Sequence, residues 1–102
     1  MKHGFYMTKT IAQELPFTLQ AKIWEMTLRR ERADKRDYFH IFNVNMEMDI
    51  CRITHTQEVP VFRCTNEIEL KSNKQHSYKI YVIRDDTPEG NHIYTMLFAN
   101  EY

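Results

Sequence analysis

Apolar residues recur at helical spacing from Pro16 to about Arg32, while further along the chain they alternate or cluster as they do in strands. Leu19, Ile23 and Met26 make one row of the helix, and Phe17, Ala21, Trp24 and Leu28 make the adjacent one. The two rows give a stripe broad enough to lie flat on a sheet. Gln13-Glu14-Leu15-Pro16 marks its start. Pro16 there lacks only an N–H that a first turn leaves unpaired, and Glu14 stands by the positive end of the helix dipole. Arg29, Arg30 and Arg32 crowd the other end, where cations complement the dipole.

Residues 5–8 read as a short first strand. Residues 38–46 and 50–57 are rich in aromatic and β-branched side chains and pair as an antiparallel hairpin, joined near Glu47-Met48-Asp49. That turn has no Asn-Gly or Asp-Gly, so its register stays open. Pro60 ends the second of these strands or marks an edge, and residues 61–64 add a fourth short strand. Residues 71–75 form an exposed turn, residues 78–84 another strand and, after a turn with Pro88 and Gly90, residues 93–99 the last. The order is β-α-β-β-β-β-β. It predicts a single α+β domain over residues 1–102, one long amphipathic helix packed on an antiparallel sheet of five or six strands. One helix covers one sheet face, yet both parities of several strands are apolar, as with Phe39 and Ile41 against Tyr38, Phe42 and Val44. The second face should therefore show aromatic surface unless the sheet curls or the chain associates.

Composition narrows the chemistry. The 102 residues are 42% hydrophobic, 13% aromatic and 27% charged, enough for one two-layer core. Two glycines, Gly4 and Gly90, exclude a Gly-rich phosphate loop, and neither Ser72 nor Ser77 sits in a nucleophile elbow. Cys51 and Cys64 make no C-x-x-C pair, which favours a reduced chain. No leader pattern is present and no apolar run approaches the ~18 residues of a membrane span, so a cytoplasmic protein is expected.

Fourteen basic and fourteen acidic residues cancel, so there is no general drive towards nucleic acid or anionic lipid. The signs are nonetheless segregated. Residues 29–36 hold five basic against two acidic side chains, and residues 71–84 hold Lys71, Lys74, Lys79 and Arg84 with no acid. Residues 85–102 hold Asp85, Asp86, Glu89 and Glu101 with no Lys or Arg. Such a distribution serves either as solvated turns or as a two-signed surface that orients a charged partner. The binding candidates are Arg29, Arg30, Arg32, Arg36, Lys79, Tyr81, Arg84, Asp85 and Asp86.

Catalytic and metal chemistry find little support. His40 and His55 would approach each other across the hairpin in some registers, with Cys51 on the His55 face, but no zinc-ligand spacing accompanies them. Cys51 or Cys64 could pair with His55 as nucleophile and base, although apolar flanks at Ile50 and Phe62 suit an inert thiol better. Asp85-Asp86 sits in a turn that would raise neither pKa. No catalytic residue, metal or cofactor is expected. Exposed rings interleaved with Arg52, Arg63, Lys79 and Arg84 could stack bases, which makes RNA or single-stranded DNA the alternative partner.

Several strings add a resemblance. Tyr6-Met7-Thr8, the stretch from Glu14-Leu15-Pro16 to Trp24, Asp37-Tyr38 with Ile41-Phe42, His55-Thr56-Gln57-Glu58-Val59-Pro60 and the tail from Thr95 to Tyr102 resemble one small Gram-positive family. It is the domain-of-unknown-function family nine-sixty, also seen on phages and plasmids. Thr56 departs from it, standing where the family commonly has a basic residue. The resemblance brings no activity or cofactor. Its occurrence on mobile elements implies a small inhibitor of a host defence nuclease, of the anti-CRISPR type. His55, Gln57 and Glu58 offer hydrogen bonds and stand as a motif of open role, as a site or as caps on neighbouring backbone groups. The expected function is a non-enzymatic binder of protein or ribonucleoprotein, with a homodimer as a further form and no membrane partner; a small enzyme ranks third.

Overall fold

The computed structural model describes residues 2–71 and 75–102. The long helix starts beside Pro16 as the spacing predicts, and a further helix that the spacing does not predict ends just before it. A residue before proline is driven out of the helical region, and Leu15 accordingly has φ −90° and ψ 128°. A short helix α1 (Lys9–Glu14) therefore precedes the long α2 (Phe17–Ala33), and Glu14 ends the first rather than opening the second. Thr8 caps α1, its hydroxyl accepting from the Ile11 N–H at 3.2 Å. The buried Gln20 donates its amide to the Leu15 carbonyl at 2.8 Å and to that of Ile11 at 3.3 Å, the latter already accepting from the Leu15 N–H.

The strands are β1 (His3–Met7), β2 (Phe39–Glu47), β3 (Ile50–Glu58), β4 (Val61–Glu69), β5 (His76–Asp86) and β6 (His92–Phe98), followed by a 3-10 turn at Ala99–Glu101. Among the described residues they form one six-stranded sheet in the order β1-β6-β5-β2-β3-β4. The α+β architecture is the one the sequence pattern predicts. Two departures stand out. β4 extends to Glu69, well beyond the four residues expected, because it pairs with β3 along its whole length, from Glu58↔Val61 to Ile50↔Glu69. β1 runs parallel to β6, where an antiparallel partner was expected. A strand that leads into helices rejoins the sheet without a hairpin, so no tight turn dictates its direction. The β2–β3 register is closed by Met48 and Asp49, with Met48 at φ 52°. Val59-Pro60, with a cis peptide bond, turns β3 into β4. The expected turn at 71–75 lies mostly outside the described residues.

Both helices supply the core of one sheet face. Ile11, Leu19, Ile23 and Met26 pack on Phe42, Val44, Ile53, Ile80, Val82, Tyr94 and Met96, all essentially inaccessible. A fully buried side chain of this size contributes about 1.5–3 kcal/mol. The second helical row predicted from spacing only half takes part. Trp24 meets Phe5 edge to face at 5.5 Å, whereas Phe17 and Ala21 point to solvent because they lie round the helix from the sheet.

Candidate functional site

Among the described residues every fully buried strand residue lies on the helix-facing parity, and no second layer covers the opposite face of the sheet. Across it, β6 contributes Ile93, Thr95 and Leu97, β5 contributes Lys79, Tyr81, Ile83 and Asp85, and β2 contributes Phe39 and Ile41. These apolar residues are half-buried by their neighbours in the sheet. Phe39 and Tyr81 meet at 4.8 Å between ring centroids, and Tyr102, carried back by the last turn, stands on both, at 5.5 and 5.6 Å. Tyr6, 60% exposed, extends the aromatic surface on β1, and Lys79 approaches the Tyr81 ring at 5.9 Å. Along β5 the row reads cation, ring, aliphatic, anion.

The sequence-derived binding residues do not all share this surface. Lys79, Tyr81 and Asp85 lie on it. Arg29, Arg30, Arg32 and Arg36 belong to the helical side of the sheet, where Arg29 pairs with Glu25 at 2.8 Å and Arg36 with Asp34 at 2.6 Å. The Arg36 guanidinium holds the Asp34 carboxyl well below the usual carboxylate range. Arg84 corrects the expectation outright. Strand alternation carries it onto the core side after Ile80 and Val82, where it is buried and bound to Glu31 at 2.7 Å and to Asp86 at 2.9 Å. Asp86, on that side too, also meets His92 at 2.6 Å.

Beneath the C-terminal half of α2 runs a buried polar chain. Glu31, 3% exposed, accepts from Arg84, from the Tyr94 hydroxyl at 3.0 Å and, through its other oxygen, from His40 Nε2 at 2.9 Å. His40 Nδ1 lies 2.9 Å from His55 Nε2. Gln57 Oε1 accepts from Arg30 Nε at 2.7 Å, while its amide nitrogen donates to the Asp37 carbonyl at 3.1 Å and lies over the His40 ring, 3.2 Å from Nδ1 and 3.5 Å from Nε2. Proton positions follow from Glu31, which as a carboxylate only accepts. His40 thus carries its proton on Nε2, towards Glu31, and accepts on Nδ1 from His55 Nε2–H. Among the described residues no enclosed side-chain nitrogen or oxygen lacks a partner.

Burial alone would raise the Glu31 pKa, but the hydrogen bonds from His40 and Arg84, with the Arg84 charge, bring it below the ordinary value. Burial, reinforced by the charge of its neighbours, pushes His55 down to about 3. The same burial pushes Tyr94 upward. Cys64 stands directly opposite His55 in the β3–β4 register, while Cys51 is opposite Met46 and its thiol is pushed up by burial. An imidazole of such low basicity cannot take the proton of a thiol, whose ordinary pKa is about 8.5. The expected Cys–His pairing is spatially real for Cys64 and chemically weak.

The His55–Pro60 string divides between these roles. His55 and Gln57 enter the chain, and Glu58 exposes its side chain while its N–H goes to Asp37. The Asp37 carboxylate accepts from the N–H groups of Phe39, Glu58 and Val59, at 2.9, 3.0 and 3.0 Å, pinning the start of β2 to the end of β3. Burial works against its charge, but these bonds bring its pKa below the usual value. Asp37→Ala is expected to cost about 2–3 kcal/mol in urea unfolding, with Asp37→Asn recovering part of the loss. An unchanged midpoint for Asp37→Ala would show that the carboxylate pins nothing.

No described helix is long and apolar enough to cross a membrane. No curated protein and no solved structure matches the chain. A family model, described as a Staphylococcal protein of unknown function, matches residues 4–101. The chain belongs to that family, DUF960.

Proposed function

We propose that this chain is a non-enzymatic protein-binding molecule whose contact surface is the uncovered face of the sheet. One observation carries the reading: rings and aliphatic side chains from β1, β6, β5 and β2 adjoin there, and no described residue forms a layer over them. A contiguous apolar surface of this kind marks an interaction site more often than a scattered one does. Lys79 and Asp85 border the row at opposite ends and give the partner its chemistry, an apolar patch with an acid placed over Lys79 and a base over Asp85. The cations beside the face are less suited to a nucleic-acid backbone. Arg52 is held by Glu67 at 2.7 Å, and Asp85 and Glu69 interleave negative charge. Within this class, an inhibitor of a host defence nuclease would lay the face on that nuclease or its ribonucleoprotein, and inhibition of a reconstituted cleavage reaction tests that form.

The general test is affinity purification from the native host with the parent chain and two face variants, Tyr81→Glu and Leu97→Lys, each checked for folding by circular dichroism. A single protein retained by the parent and lost from both variants is the expected result. Exchanging the bordering charges, as Lys79→Glu with Asp85→Lys, should weaken that complex at least about tenfold. A partner indifferent to these changes overturns the reading, as does a face that serves only self-association, or recovery of nuclease-sensitive nucleic acid alone.

A further inference from the structure

On the helical side of the sheet, between the C-terminal half of α2 and the β3–β4 edge, lies a pocket of about 230 Å³. Its walls are chiefly apolar, with Met26, Ala33, Phe62 and Cys64 prominent, and His55 lines it. The nearby polar groups are already engaged. The Arg30 guanidinium lies 4.0 Å over the Phe62 ring and bonds Gln57, and the Asn66 amide donates to Cys64 Sγ at 3.5 Å. His55 differs. It is 1% exposed, and its Nε2 proton is committed to His40. Among the described residues Nδ1 has no hydrogen-bond partner, yet it is not an enclosed orphan, so it opens on the pocket that His55 lines. The tautomer imposed by Glu31 through His40 makes that nitrogen a lone-pair acceptor.

We propose that this pocket binds a small planar apolar ligand that donates one hydrogen bond to His55 Nδ1, the chemistry of a phenol or an indole. Size permits it, since an apolar cavity of about 150 Å³ accommodates a benzene ring. A cationic ligand is disfavoured, since Arg29 and Arg30 stand at the wall of the pocket. Glu31 and His40 act as positioning residues: they fix the orientation and protonation of the acceptor without touching the ligand. The site lies across the sheet from Tyr81, so it is independent of the protein-binding reading.

Titration of the full chain with phenol, indole and anisole, followed by amide and imidazole nitrogen NMR, tests the assignment. Phenol and indole should shift the signals of Phe62, Cys64 and His55 Nδ1. Anisole, which has the shape of phenol without its donor, should bind about tenfold more weakly. Cys64→Leu should fill the pocket and abolish binding of all three. In His55→Phe, phenol should fall to the level of anisole; should that variant fail to fold, Cys64→Leu and the phenol–anisole comparison still decide. Equal affinity for phenol and anisole overturns the proposal. So does binding that survives Cys64→Leu, or the absence of any shift up to the solubility of the probes.

Discussion

Replacing Glu31 by alanine is expected to lower the unfolding free energy by about 3–5 kcal/mol, the usual result of removing one partner of a buried ion pair. The carboxylate is the common acceptor for Arg84, Tyr94 and His40. Without it Arg84 keeps only Asp86, while the Tyr94 hydroxyl and the His40 Nε2–H lose their acceptor in a region water scarcely reaches. A domain of this size has roughly 5–15 kcal/mol in all, so the variant should lie near the edge of folding. Thermal unfolding measures it, as a Tm lowered by more than about 10 °C. Glu31→Gln keeps an acceptor but not the charge, and should fall between the two. A Glu31→Ala protein that melts with the parent would show that the polar chain contributes nothing to stability.

Acid should unfold the protein through His55. In the unfolded chain the ring takes a proton near pH 6.5, and in the folded chain burial withholds it down to about pH 3. Between those values the unfolded state binds more protons, so stability rises with pH across the window and is lost as pH falls. The contribution is complete above about pH 6.5, and its loss by about pH 3 is on the order of 5 kcal/mol. Glu31, also depressed, adds to the loss in the same direction once the pH passes below about 4.5. Urea midpoints between pH 7 and pH 4 check this, and His55→Phe should flatten the upper part of the profile. An equally steep profile in that variant would place the proton uptake elsewhere.

Much of the fold could be read from spacing. α2, the β2–β3 hairpin and the strands now numbered β5 and β6 follow from apolar periodicity, and an exposed aromatic face follows from counting one covering layer against two apolar parities. The start of α2 at Leu15-Pro16 follows from the same spacing, whereas α1 does not, because residues 9–14 carry too few apolar positions to signal a separate helix. The direction of β1 is a long-range choice that no local pattern encodes. The polar chain was legible in part. His40 precedes Phe42 and Val44 on their parity, His55 and Gln57 follow Cys51 and Ile53, Arg84 follows Ile80 and Val82, and Glu31 continues the helical face through Thr27. Each extends a buried row, and that continuation was the available signal. The pairing of these groups depends on register and could not be read beforehand.

The strand order bears on synthesis. β2 must find β5, and β1 must find β6, with most of the chain lying between the last two. While the protein is still emerging from the ribosome, β2, β3 and β4 can already form a meander, but one flank of β2 has no hydrogen-bonding partner until residue 86 has been made. Phe5 and Met7 wait longer still. Native pairing of this sort is slow to nucleate and exposes a sticky intermediate, so a chaperone that shields the nascent meander should raise the yield of folded molecules.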